Sequence, residues 1–129
     1  MSYESKIFVV RTRRERTVSK AGFRTFGEII ATFELGSLEY MENFPVIFDK
    51  PIDFDMYKED GNTVYTTDDY GDDLCYASIG KVIDKLVSMA DNDDWRYWRW
   101  EPAISMLQAF KPYKWNLGSE ELVVVHYGH

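Results

Sequence analysis

The sequence has one cysteine, two histidines and no long apolar run. Because a single cysteine cannot form an internal disulfide, Cys75 indicates a protein of a reducing compartment. No apolar run approaches the roughly 18 residues that a membrane-spanning helix needs. The first residues also lack the pattern of a signal peptide. We therefore expect a cytoplasmic protein.

Motifs for catalysis, metal binding and nucleotide binding are also lacking. There is no glycine-rich phosphate loop, and the aspartates around Gly71 and at 91–94 do not have calcium-loop spacing. His126 and His129 stand three apart on a predicted strand, so they point to opposite faces and do not share an ion. Cys75 and His126 could meet across the fold, but neither belongs to a nucleophile motif. The sequence predicts a non-enzymatic protein without metal or cofactor.

What the sequence does contain is a single domain, residues 1–129, with high aromatic content (16%) and strong acidity. The net charge is −7, and it is unevenly distributed. Residues 11–24 hold six basic side chains against one acid, whereas residues 49–73 hold nine acids against two lysines. Such a charge argues against non-specific nucleic-acid binding, although the basic segment could contact phosphate or an acidic partner.

Alternating and β-branched segments predict five strands, at 5–10, 26–35, 52–57, 63–67 and 121–127. We expect the first two to pair antiparallel and the next two to form a hairpin closed by Asp60-Gly61 or Gly61-Asn62. The last segment is continuously apolar, which indicates a central position in the sheet.

The segments between the strands are predicted to be irregular. Residues 11–21 read as a polar, basic loop. Residues 36–51 read as an ordered connection with a helical turn near 38–43. Residues 68–77 read as an acidic loop that ends at Ser78.

Two helices are predicted. The first begins after Ser78, a suitable N-cap, and ends near Ala90. The second carries an apolar face formed by Trp100, Ala103, Ile104, Leu107 and Phe110. Because Pro102 disrupts a helix interior, the segment is either one helix from 94 to 110, kinked near 98–102, or a tryptophan turn followed by a helix from Pro102. We favour two segments or a sharp kink.

These elements define an α+β fold in the order ββββααβ. We expect a two-layer domain with a mostly antiparallel sheet of about five strands and two helices on one face.

Two sets of residues are candidates for partner binding. The tryptophan–arginine segment resembles a binding hot spot in composition, although its tryptophans would also fill a core. The acidic hairpin and loop could present carboxylates at spacings near those of DNA phosphates, although such a face also serves solubility. The candidates are Asp53, Asp55, Glu59, Asp60, Asp68, Asp69, Asp72, Asp73, Trp95, Arg96 and Arg99.

Several local patterns resemble small proteins encoded by phages and prophages, a group without an established activity. They are the opening Met-Ser-Tyr-Glu-Ser-Lys-Ile-Phe-Val-Val, the strand Gly-Glu-Ile-Ile-Ala-Thr-Phe-Glu-Leu at 27–35, the turn Asp-Gly-Asn-Thr at 60–63, and the ending Leu-Val-Val-Val-His-Tyr-Gly at 122–128. Together they cover about a third of the chain. The resemblance implies expression in the cytoplasm of an infected bacterium, where small acidic folds bind host proteins.

Three hypotheses follow. The first is a non-enzymatic acidic binding protein that inhibits a host factor, such as a basic nucleic-acid-handling or defence protein. The second is a small assembly domain that self-associates through its tryptophan–arginine surface. The third, and weakest, is a hydrolase that uses carboxylates and a divalent ion.

Overall fold

The structure is a computed structural model that describes residues 4–16, 23–37, 44–90, 94–110 and 120–129. Its elements are a curled half-barrel sheet and two helices, so the predicted α+β class is confirmed. The strands are β1 (Glu4–Arg16), β2 (Phe23–Ser37), β3 (Lys50–Pro51), β4 (Asp55–Met56), β5 (Cys75–Ser78) and β6 (Glu120–Gly128). The helices are α1 (Ile79–Ala90) and α2 (Asp94–Phe110).

The six strands lie in the order β3-β5-β6-β1-β2-β4. Every neighbouring pair is antiparallel except β2 and β4, which are parallel. The predicted count of about five strands in the order ββββααβ was therefore wrong in detail. Five strands precede the helices, because β3 and β5 form in segments predicted to be irregular, whereas the predicted strand at 63–67 does not form.

β1 is longer than predicted, and it organises the sheet. It pairs with β2 on one side and β6 on the other, and it continues to Arg16 through the segment predicted to be a loop. That segment is polar, so side-chain pattern gave no strand signal. Its backbone is instead held by ladders, with both neighbours as far as Arg13 and with β2 alone from Arg14 to Arg16. Residues 17–21 of the predicted loop lie outside the described residues.

β6 occupies the central position that its apolar run predicted, between β5 and β1. Val123, Val124 and Val125 are all buried, because both faces of the sheet are covered. One face carries Ile7, Val9 and Val124 against both helices. The other carries a second cluster built on Phe8, Val10, Phe54, Met56 and Tyr127. Alternate residues of β1 and β6 therefore belong to two different cores.

Both helices form where the sequence predicted them. The Ser78 hydroxyl accepts the backbone N–H of Lys81 at 3.3 Å, as expected of an N-cap. α2 is one helix with Pro102 inside it, so the two-segment alternative was wrong. An interior proline costs roughly 3 kcal/mol. Burial of the predicted apolar face offsets that cost, and the Trp100 indole N–H donates to the Leu35 carbonyl oxygen at 3.2 Å.

The predicted hairpin over 52–57 and 63–67 was wrong as a regular two-stranded unit. Only β4 is a strand, and it pairs with Phe26–Gly27 of β2. Tyr57 and Val64 form an isolated bridge. The turn itself does form, with positive φ at Gly61 (74°) and the Lys58 N–H donating to the Thr63 carbonyl oxygen at 2.7 Å.

The rest of this region follows the predicted alternation in part. Phe54 and Met56 are buried and Asp53 is exposed, as expected where apolar and acidic residues alternate, but Asp55 is half-buried. The helical turn predicted near 38–43 lies outside the described residues. A short 3-10 turn, Pro45–Ile47, follows that segment.

Candidate binding groove

An open groove with a volume of about 730 Å³ runs along β2. Seven consecutive residues of β2, 26–32, form one wall. The opposite wall consists of residues 57–59 and Tyr65, from either side of the turn that follows β4. Lys6, Phe8 and Arg11 of β1 complete the lining. The groove therefore lies beside the second core cluster, and Ile30 and Ala31 of its wall pack against the first.

Aromatic rings line or underlie much of this groove. Phe8, Tyr65 and Tyr127 form a triangle with ring centroids 5.6 to 5.7 Å apart. Phe26 and Tyr57 lie nearly parallel across the two walls, with centroids 6.3 Å apart. Such pairs contribute about 0.5–1.5 kcal/mol each beyond the area they bury. The packing holds the rings in place, so the groove is preformed.

Two lysines lie over these rings. The Lys6 Nζ is 4.8 Å from the ring centroid of Tyr127 and 5.4 Å from that of Phe8. The Lys58 Nζ is 5.2 Å from the centroid of Tyr65. Within the described ranges neither ammonium forms an ion pair. The third cation of the lining, Arg11, is paired with Glu28.

The tyrosines of the triangle remain protonated. Burial raises the pKa of Tyr65, with smaller contributions from Glu59 and Asp69. Burial is also the main cause that raises the pKa of Tyr127, whose hydroxyl donates to the Asp69 carboxylate at 2.6 Å. Because Glu59 and Asp69 both act on Tyr65, the acidic turn and the acidic loop converge at this end of the groove.

Three of the predicted partner-binding carboxylates have structural roles. Asp68 is only 8% exposed and accepts the backbone N–H groups of Tyr70 and Asp72 at 2.9 and 3.0 Å. Asp60 accepts two backbone N–H groups of its own turn, and the hydrogen bond from the Thr63 hydroxyl is the main cause that lowers its pKa. Asp69 holds the Tyr127 hydroxyl, as described above.

The other predicted residues divide into three groups. Asp55 lies in β4 and is half-buried. Asp53, Glu59, Asp72 and Asp73 are exposed, so they remain available to a partner. Trp95, Arg96 and Arg99 belong to α2, but the structure does not describe their side chains. Residues 17–22 of the basic segment also lie outside the described residues.

A buried polar cluster joins β1, β5 and β6. Cys75 and His126 are direct cross-strand partners, and the Ser5 hydroxyl is 2.5 Å from His126 Nε2. Desolvation lowers the pKa of His126 to about 4, despite the opposing effect of Asp68. Burial raises the pKa of the Cys75 thiol. The residues therefore meet, but as a neutral imidazole and a protonated thiol, in a part of the core where Ser5 has no exposed surface.

His129 lies in a different environment from His126. Its Nε2 is 2.8 Å from a Glu34 carboxylate oxygen and its Nδ1 is 3.9 Å from one of Glu4. One ligand atom from each of these three residues lies within 4.8 Å of the others, so the trio has the composition of a divalent-ion site. The Nε2–Glu34 distance is also that of an ordinary hydrogen bond.

Comparison of the chain with protein-family models, curated proteins and solved structures finds no match. No helix among the described residues is long and apolar enough to cross a membrane.

Sequence reasoning missed the groove, because its aromatic residues are far apart along the chain. Phe8, Tyr65 and Tyr127 come from three separate segments, and only the sheet brings them together. One local signal was present. Lys6 and Phe8 are two residues apart on a strand, so their side chains lie on the same face of the sheet. On that face Phe8 is buried and Lys6 is half-buried.

Proposed function

We propose that the protein is a non-enzymatic binding protein that holds a segment of another protein in the groove between β2 and residues 57–65. The observation that carries this proposal is the preformed aromatic lining, in which Phe26 stacks on Tyr57 and Tyr65 packs on Phe8. Rigid aromatic anchors in concave sites are typical of binding hot spots, because they offer large contact area at low entropic cost.

The charge of the whole chain, −7, favours a basic partner. The groove lining itself is mixed, with Lys6, Arg11 and Lys58 beside Glu28 and Glu59, and further exposed carboxylates lie outside the lining at Asp53, Asp72 and Asp73. Such a potential accelerates encounter with a cationic protein and repels the phosphates of nucleic acid. Together with the resemblance to phage and prophage proteins, this favours a host or phage protein as the partner. A nucleic-acid-handling or defence factor that the protein inhibits in the bacterial cytoplasm fits these properties.

The chemistry of the buried cluster supports the non-enzymatic part of the proposal. A nucleophile needs both access and an activating base. Ser5 has no exposed surface, and burial of Cys75 favours its protonated form, so neither is an activated nucleophile in this structure. The cluster instead satisfies polar groups within the core.

The test is a pull-down from bacterial lysate with the tagged chain and two variants, followed by mass spectrometry. Tyr57→Ala removes a groove anchor that is half-buried, so the fold should survive. Val46→Ala is the control, because it removes an exposed apolar side chain outside the groove lining. We expect one basic protein to be retained by the native chain and the control, and lost with Tyr57→Ala.

Two further results decide the proposal. Charge reversal of Asp53, Asp72 and Asp73 should weaken retention, and high salt should release the partner, since exposed ionic contacts are screened. Asp68 and Asp69 are unsuitable for this test because they support the loop and Tyr127. Equal retention by Tyr57→Ala, or recovery of the bait alone as an oligomer, would refute the groove as a partner site.

A further inference from the structure

β2 has an edge that the described chain leaves almost uncovered. On one side β2 pairs with β1 along its whole length. On the other side, within the described ranges, only Phe26 and Gly27 have a neighbour, the two-residue strand β4. The opposite edge of the sheet is protected differently, because β3 is short and contains Pro51, which cannot donate to a further strand.

The groove follows this uncovered edge. Its β2 wall is the run 26–32, and its other wall, 57–59 with Tyr65, stands on the side where the next strand of the sheet would lie. Ile29, Ile30 and Ala31 are half-buried along this wall. A strand edge with apolar side chains and unpaired backbone groups is a template for pairing with another chain.

We propose that this edge receives an extended basic and apolar segment of the partner as an added strand, a binding mode that rests on the proposed function. The pairing with β1 shows how long that strand can be. Ile30 and Leu35 are extra residues in β2, at the two register shifts, and residues 31–34 between them are regular. The added ladder is therefore short, on the order of four residues, which suits a linear segment of a larger protein.

The charges at the edge select the chemistry of that segment. Glu28 and Glu34 lie on β2 itself, with side chains 61% and 60% exposed. Lys6 and Arg11 lie on β1, one strand farther from the edge. Although each glutamate already has a basic neighbour, a carboxylate has about four acceptor positions. The two glutamates lie on opposite faces of β2, because Glu34 pairs with Lys6 and Glu28 with Arg11. Lys58 on the far wall lies over Tyr65. The acceptors of β2 itself therefore favour lysine or arginine beside the apolar residues of an added strand.

A second copy of this chain fits the same edge poorly. In an antiparallel pair of two copies over the regular residues 31–34, Glu34 of each copy would stand opposite Ala31 of the other. Both copies would therefore bring a carboxylate into the same short ladder. Two chains of −7 also repel each other at a distance. Charged side chains on an edge are a common protection against self-pairing, and here they favour a partner of opposite charge.

The test uses synthetic peptides of about eight residues, which covers the short ladder with flanking residues on both sides. One peptide alternates lysine with valine, a second has the same sequence with its central amides N-methylated, and a third replaces lysine with glutamate. Binding to the full chain is measured by fluorescence anisotropy, and protection by amide hydrogen exchange. We expect the lysine–valine peptide to bind and to slow exchange within residues 31–34. N-methylation should weaken binding by about tenfold or more, since it removes the backbone donors.

Matched variants separate charge from fold. Glu28→Gln with Glu34→Gln should weaken binding of the lysine–valine peptide, whereas Asp84→Asn, an exposed site on α1, should not. The inference is overturned if the lysine–valine peptide does not bind, if the N-methylated or glutamate peptide binds equally, or if β2 shows no protection. A concentration-dependent dimer that protects β2 would also overturn it.

The two proposals can fail separately. If a cellular partner is lost with Tyr57→Ala but the peptide gives no protection in β2, the groove is a binding site and strand addition is refuted. If the peptide protects β2 but no cellular protein is retained, the edge accepts strands and the proposed function is refuted.

Discussion

Substitution of Gly27 by alanine tests the junction that positions the groove. Gly27 pairs with Met56 of β4, and a Cβ atom at this position would lie 2.5 Å from Phe54 Cδ2 and 2.8 Å from Phe54 Cε2. It would also lie 2.9 Å from Val10 Cγ1. Phe54 is 6% exposed and Val10 fully buried, so neither side chain can move into solvent. The only relief is displacement of β4 from β2.

The magnitude follows from this geometry. Extra methyl groups in a packed core typically cost about 1–3 kcal/mol, because side chains leave their rotamers or the backbone shifts. For a domain of this size, each kcal/mol lowers the melting temperature by about 3–5 °C. We therefore expect Gly27→Ala to lower the free energy of unfolding by about 1–3 kcal/mol and the melting temperature by about 3–15 °C. Displacement of β4 would also move Tyr57, so partner retention should fall.

The assay is urea unfolding of a double-mutant cycle with Phe54→Leu. Leucine lacks Cε2 and its shorter side chain can turn away, so Gly27→Ala should cost less in that background than in the native one. Gly61→Ala is the matched control, because no atom lies within 4 Å of its added Cβ and its cost comes only from φ of +74°. A neutral Gly27→Ala, or one whose cost Phe54→Leu leaves unchanged, would refute the close-approach argument.

Three further substitutions test the support of the core and loops by unfolding experiments. Burial holds the pKa of His126 at about 4 in the fold, against 6.5 in the unfolded chain. The stability that neutral His126 contributes is therefore fully present above pH 6.5, and the free energy of unfolding falls by up to about 3 kcal/mol as pH drops towards 4. His126→Gln should flatten this pH dependence, and an unchanged slope would contradict the role of His126. Ser78→Ala should lower the free energy of unfolding by about 0.5–2 kcal/mol and Ser78→Asp by much less, because aspartate can also cap α1. Equal stability of Ser78→Ala and the native chain would contradict the capping role. Asp68→Ala should lower the free energy of unfolding by about 1–3 kcal/mol, because it leaves the N–H groups of Tyr70 and Asp72 without their acceptor. Asp68→Asn keeps a side-chain oxygen and should lower it less. Equal stability of the two variants would contradict this role.

The predictable parts of the fold are those that local patterns determine. α1 follows from one cap and one apolar stripe, and the central place of β6 follows from a continuous apolar run. β5 was missed because its four residues form a strand only where Cys75 and Ala77 meet β6, a pairing between distant segments. The hairpin forms only in part, since β4 takes its ladder from β2. The segment after the turn meets it only through the Tyr57–Val64 bridge and the hydrogen bond from the Tyr65 N–H to the Met56 carbonyl oxygen.

The candidate site could be predicted only in part. Sequence identified the carboxylates as a group, but charge does not reveal which of them serve the backbone. Asp68 is buried under its own loop, whereas Asp53 is exposed. The groove was beyond prediction, because its floor depends on contacts of Phe8 with Tyr65 and Tyr127, and these contacts require the complete sheet.

β4 itself supports strand addition at the edge of β2. It shows that this edge accepts a neighbouring strand, and its pairing covers only Phe26 and Gly27. The chain then leaves the edge at Tyr57, which stacks on Phe26 and becomes the far wall of the groove. Gly27 has no side chain, so Phe54 can approach β2 closely at this position. Gly27 is also the last residue of β2 that pairs with β4, and the open groove begins beyond it. Loss of that close approach should therefore weaken both the fold and the binding of an added strand.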